Sequence, residues 1–79
     1  MKPVTHPNQV GATFQARRKA LNLTQTQLAE RLGLSQNRLS ELETQPATMT
    51  VEQLLALANA LELELRIGEH SGAKQKVEW

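Results

Sequence analysis

The sequence predicts a mainly α fold of four short helices, followed by one C-terminal β-strand that pairs across a homodimer. Three observations carry that prediction. Apolar residues recur three and four apart through residues 8–61. Helix-start signatures punctuate this stretch: Thr24 three residues before Gln27, Ser35 after Gly33 and Leu34, and Thr50 three residues before Gln53. Beyond residue 61 the apolar period switches to two.

Residues 1–7 hold Pro3 and Pro7 with little periodicity and read as an extended arm. Helix one is expected over Asn8 to Leu21, with Val10, Phe14 and Leu21 inward and Arg17 and Arg18 partly so. Asn22 can end it in a left-handed conformation. Thr24 and Gln27 form a capping box for helix two, whose inner face is Leu28, Ala29 and Leu32. Gly33 ends that helix and Leu34 pins the corner to the core, which is what a sharp interhelical turn requires. Ser35 caps helix three, with Leu39 and Leu42 inward. Residues 44–49 read as a loop. Helix four starts at a second capping box, Thr50 with Gln53, and presents Val51, Leu54, Leu55, Ala58 and Leu61 on one broad face. Leu57 falls partly outside that stripe and is free for a second contact.

The segment LELELRI sets Leu61, Leu63, Leu65 and Ile67 against Glu62, Glu64 and Arg66 in strict alternation. Such alternation predicts a half-buried strand. A single strand cannot satisfy its own backbone groups, and the simplest neighbour is the same strand from a second copy. Leu57, Leu61, Leu63, Leu65 and Ile67 are therefore the expected dimerisation residues. A competing reading continues helix four through Ile67, because leucine and glutamate are strong helix formers. Residues 69–79 are polar and read as a flexible tail, ending in Trp79, the only tryptophan. That ring either tucks against its own domain or anchors another protein.

The 79 residues bound this to one small domain, with 1–7 as arm, 8–61 as the helical unit, 62–68 as the dimerisation strand and 69–79 as tail. There is no cysteine to build a disulfide or thiolate zinc site, and His6 and His70 lie near opposite termini. No run approaches the roughly 18 apolar residues that span a bilayer, and MKPVTHPN lacks the apolar core of a secretory signal. A cytoplasmic protein without membrane association is expected. The net charge is only +1. Its distribution is uneven: residues 1–40 carry six basic groups and one acid, while residues 41–79 carry three basic groups and seven glutamates. One end is thus suited to phosphate and the other is not.

Two helices at a tight corner, the second opening with small polar side chains, form a unit that can enter the major groove of DNA. Thr24, Gln25 and Gln27 lie at the first turn of helix two, where backbone N–H groups favour a phosphate. Ser35, Gln36, Asn37, Arg38 and Ser40 open helix three. Gln36 and Asn37 each carry the donor and acceptor that match adenine, and Arg38 suits guanine or phosphate. Arg17, Thr48 and Thr50 are further candidates for the DNA backbone. Gln, Asn and Ser are also ordinary caps and surface residues. Arg18 and Glu43 are expected to form a partly buried ion pair that fixes helix one against helix three.

The stretch TQTQLAERLGLSQNRLSELE, residues 24–43, resembles the lambda-repressor-like (Cro/C1-type, XRE) helix-turn-helix family. The resemblance rests on Thr24-Gln25, Leu28-Ala29, Gly33-Leu34 and Ser35-Gln36, with Arg18 and Glu43 matching the family's arginine–glutamate pair. The chain departs from the usual pattern at Asn22, where glycine is common, and at Glu41, where a basic or polar residue is common. Four helices, a strand and a short tail closing in Glu78-Trp79 look like the HipB-like antitoxins of HipA–HipB toxin–antitoxin systems. That resemblance implies a homodimer with paired C-terminal strands. It also implies autorepression at a palindromic operator, association with the nucleoid when bound there, and neutralisation of a HipA-like serine/threonine kinase toxin, with Trp79 in partner contact or turnover. A stand-alone phage-type or autoregulatory repressor shares every feature except a need for Trp79. A helical adaptor binding only protein is a third reading. An enzyme is disfavoured: no histidine, carboxylate and nucleophile converge in sequence, there is no glycine loop for phosphate, and no cofactor is implied.

Overall fold

A computed structural model describes residues 3–69 of the chain. The element order is α1 (Pro7–Ala20), α2 (Gln25–Leu32), α3 (Gln36–Thr44), a single 3-10 turn (Pro46–Thr48) and α4 (Val51–Ala60). Helix α1 starts one residue earlier than its apolar pattern suggests because Pro7, with its fixed φ, occupies the first turn. The starts of the other three follow their caps. Thr24 Oγ1 accepts from Gln27 N at 3.0 Å while Gln27 Oε1 accepts from Thr24 N at 2.9 Å. Thr50 and Gln53 repeat the arrangement at the same distances, and Ser35 Oγ accepts from Arg38 N at 3.1 Å. Each such cap stabilises its helix by about 1 kcal/mol.

Three helices end alike. A residue in the left-handed region is followed by a leucine whose N–H reaches back five residues. Asn22 (φ 58°) precedes Leu23, bonded to Arg18 O; Gly33 (φ 70°) precedes Leu34, bonded to Ala29 O; Glu62 (φ 59°) precedes Leu63, bonded to Ala58 O. These are Schellman ends, and the leucine in each packs against the core. The pattern makes corners rather than gentle bends, so four short helices close around one cluster. That cluster is Phe14, Leu28, Ala29, Leu39, Leu42, Leu57, Ala58 and Leu61.

The C-terminal segment corrects the expected architecture. No β-strand occurs among the described residues, so there is no strand to pair across a dimer. Helix continuation through Ile67 fails as well, since α4 stops at Ala60. Both expectations fail for one reason. Leu61 caps α4 and Glu62 turns the chain in a left-handed conformation, which neither a strand nor a helix accommodates. The alternating leucines are consequently split. Leu61 is fully buried in the core, Leu63 packs on its edge, and Leu65 and Ile67 are exposed.

The buried face of α4 is also rotated from the expected stripe. Leu54, Leu57, Ala58 and Leu61 face the core, at the i, i+3, i+4, i+7 spacing of one helical face. Val51 and Leu55 lie beside that stripe and are exposed. Leu57 and Leu61, expected at a dimer contact, are 1% and 0% exposed within the subunit's own core and are closed to a partner.

Candidate nucleic-acid interface

Gln25 and Gln36 each follow a capping residue and so hold the first position of α2 and of α3. The tight corner at Gly33 brings these equivalent positions together. Gln36 Nε2 donates to Gln25 Oε1 at 2.9 Å, and Gln25 Nε2 donates to Glu43 Oε1 at 2.9 Å. Glu43 in turn accepts from Arg18, whose Nε meets Oε2 at 2.7 Å and whose Nη2 meets Oε1 at 3.3 Å. Arg18 Nη1 closes the chain on the carbonyl of Leu23 at 2.9 Å. A continuous set of hydrogen bonds thus runs from the α1–α2 corner, through a buried ion pair, to the start of α3.

The ion pair is deeply placed: the side chains of Arg18 and Glu43 are 9% and 1% exposed. Burial of two charges is tolerable only when the remaining donors and acceptors are matched. Among the described residues no buried side-chain nitrogen or oxygen lacks a partner. The bidentate guanidinium–carboxylate geometry fixes α1 against α3, and Gln25 extends that rigidity to the surface.

Helix α3 turns Leu39, Leu42 and Glu43 inward. At about 100° per residue, the opposite face carries Asn37, Glu41 and Thr44 with Ser40 beside them. Asn37, Glu41 and Thr44 are exposed and Ser40 is half-buried. Arg38 flanks this face, its Nη1 donating to Glu41 Oε1 at 3.0 Å. Thr44 Oγ1 bonds back to the carbonyl of Ser40 at 2.9 Å. The face is therefore short, polar and held in position from behind.

The remaining candidates are distributed as follows. Thr24, Gln27, Ser35 and Thr50 have side chains engaged in helix caps, which occupy the third N–H of α2, α3 and α4 and hold each helix start in place. Thr48 Oγ1 donates to the carbonyl of Gln45 at 2.8 Å inside the 3-10 turn. Arg17, expected to reach phosphate, donates through Nε to the carbonyl of Leu61 at 2.9 Å, with Glu62 at 3.8 Å. That guanidinium satisfies an orphan carbonyl at the end of α4. Trp79 and residues 70–79 lie outside the described residues. The two links through Gln25 were not anticipated from the sequence. Their signal is the repeated cap–glutamine pair, Thr24-Gln25 and Ser35-Gln36, which places identical amides at equivalent helix starts.

Among the described residues no group of three or more His, Asp or Glu is placed to hold a metal, and no helix is long and apolar enough to cross a membrane. A family model described as helix-turn-helix matches residues 14–67, more than half of the chain. No curated protein and no solved structure gives a significant match. Both short helices, their glycine corner and the polar face of α3 fall inside the matched span, and the family's domains are non-catalytic. The chain belongs to the helix-turn-helix family and carries an XRE-type, sequence-specific DNA-binding domain.

Proposed function

We propose that this chain is a transcriptional autorepressor and a HipB-like antitoxin, binding palindromic operator DNA as a homodimer and neutralising a HipA-like serine/threonine kinase. The observation that carries the DNA-binding half is the exposed polar face of α3, locked to the core through Gln36, Gln25, Glu43 and Arg18. In this reading α3 enters the major groove. Gln36, Asn37, Arg38 and Ser40 contact base edges or the flanking backbone, and Thr24, Gln25 and Gln27 grip phosphate at the start of α2. Ser35, Thr48 and Thr50 direct further N–H groups at the backbone beyond the reading helix. Residues 8–61 constitute the DNA-binding unit.

A palindromic operator calls for two copies related by a two-fold axis, one α3 per half-site. Val51, Leu55, Leu65 and Ile67 supply exposed apolar area that a second copy can cover. The antitoxin role rests only on the likeness of the four-helix unit with its C-terminal extension to HipB-like antitoxins; residues 24–43 bear on DNA binding, not on that role.

Two measurements test this. Binding to the DNA upstream of the protein's own coding sequence is followed by fluorescence anisotropy across a salt series. Affinity that falls steeply with salt, with a log–log slope of about −0.9 per phosphate contact, supports the reading; salt-independent or absent binding sinks it. A pull-down from the native host then compares the intact chain with one lacking Trp79. Recovery of a kinase with the intact chain alone supports the antitoxin role. Absence of a kinase from both samples leaves a stand-alone repressor.

A further inference from the structure

Glu41 occupies the middle of the α3 face that the proposed function turns toward DNA, and a carboxylate offers hydrogen-bond acceptors only. A carboxylate there repels phosphate, so its presence needs a reason. The Arg38 guanidinium lies 3.0 Å away, with the two side chains 37% and 61% exposed. Together they present an acceptor and a donor fork side by side on one edge of the helix. An exposed pair of this kind is held by no more than about 1 kcal/mol, so its members can be drawn onto another surface at little cost.

We infer that Arg38 and Glu41 act as one reading unit for a single C·G base pair in each half-site. The inference rests on the DNA-binding reading above and assigns its specificity. In the major groove only cytosine N4 and adenine N6 donate, so a carboxylate has two possible targets. Arg38 chooses between them. On a C·G pair the cytosine N4 donor sits beside guanine O6 and N7, two acceptors that match the guanidinium fork. On an A·T pair the N6 donor is flanked by two separated single acceptors, adenine N7 and thymine O4, with the methyl beyond O4, so the guanidinium fork finds no adjacent pair of acceptors. The intact pair therefore complements C·G in one strand orientation. Neither residue needs to leave its neighbour: the ion pair keeps both charges compensated in the groove.

The test is selection from a randomised duplex library with the full chain, comparing the native protein with Glu41→Gln and Arg38→Ala. Circular dichroism verifies that these exposed substitutions leave the helices intact. The native protein is expected to enrich an oriented C·G pair at one position per half-site, preferred over other pairs by between about fivefold and 150-fold. Glu41→Gln is expected to shift that same position toward adenine, which a carboxamide pairs in bidentate fashion. Arg38→Ala is expected to lose the guanine preference there and leave other positions unchanged. An enriched site whose preferences do not change with Glu41→Gln, or one that gains affinity uniformly for all sequences, overturns the inference while leaving DNA binding intact. Failure of the native protein to enrich any sequence overturns the DNA-binding reading and the inference together.

Discussion

Gln36 donates through Nε2 to Oε1 of Gln25 at 2.9 Å, joining the first residue of α3 to the first residue of α2. This bond aligns the two helix starts that the proposed DNA complex uses together. Its other end is secured because Gln25 donates to Glu43. Gln25→Ala removes both links at once. Without the carboxamide, the remaining methyl cannot orient Gln36, and Glu43 Oε1 loses one of its donors. The expected loss of unfolding free energy is about 2–3 kcal/mol, the net value of one neutral hydrogen bond and one to a carboxylate. Operator affinity is expected to fall by about tenfold, since the proposed phosphate contact of Gln25 and its alignment of Gln36 are lost together. Urea denaturation and anisotropy at one fixed salt concentration read the two effects. Unchanged affinity would remove Gln25 from the interface.

Arg18 and Glu43 are expected to behave as one unit. Truncating either alone leaves a buried charge without its partner, at a cost of about 3–5 kcal/mol. Replacing both, as Arg18→Met with Glu43→Leu, removes the charges and retains apolar volume. The double variant is expected to be more stable than either single one. A double-mutant cycle from urea denaturation checks this. Losses that simply add would mean that the bidentate geometry contributes no coupling.

Gly11 lies in the interior of α1, where glycine usually weakens a helix by about 1 kcal/mol relative to alanine. Here it is required by packing. A Cβ at Gly11 would overlap the carbonyl oxygen of Glu43 and stand 3.0 Å from Pro46 Cγ. The carbonyl is backbone and cannot rotate away, so α1 must move off α3. Gly11→Ala is therefore expected to destabilise by about 2 kcal/mol despite its gain in helix propensity. Gly68→Ala serves as the control, because nothing lies within 4 Å of its added methyl. A Gly11→Ala variant at least as stable as the native chain would show that the helix crossing yields.

These residues also mark what the sequence reveals and what it conceals. Thr24, Ser35, Thr50, Asn22 and Gly33 act on bonds within five residues of themselves, so their roles are legible from local spacing. The polar opening of α3 is legible for the same reason. Gly11 meets a carbonyl 32 positions away, and Arg17 bonds one 44 positions away. Neither contact leaves a local pattern. The face of α4 departs from the expected stripe because six apolar residues, Val51, Leu54, Leu55, Leu57, Ala58 and Leu61, compete for a stripe that takes four, and packing against other helices, not local spacing, decides which enter. The alternation in residues 61–67 misleads for a different reason. Side-chain period describes which face a residue would take if the backbone were extended, and it carries no information about a left-handed turn at Glu62.

That turn yields the last prediction. Glu62 adopts φ 59°, a conformation that costs a residue with a Cβ about 1–2 kcal/mol relative to glycine. Its compensations are the bonds from Glu62 N to Asn59 O at 3.1 Å and from Leu63 N to Ala58 O at 2.8 Å, which any residue there retains. The carboxylate itself adds a 3.8 Å contact to Arg17, largely exposed and of small value. Glu62→Gly thus relieves strain, loses little, and gives back part of the gain to the greater entropy of an unfolded glycine. A net stabilisation of about 0.5–1 kcal/mol is expected, read as a raised urea midpoint with an unchanged slope. Glu62→Val should move the midpoint in the opposite direction, because a β-branched side chain is poorly accommodated at positive φ. If residues 61–67 instead formed an extended strand, the order would invert: valine would stabilise and glycine would weaken. The sign of the difference between these two variants therefore distinguishes a capped helix end from a strand.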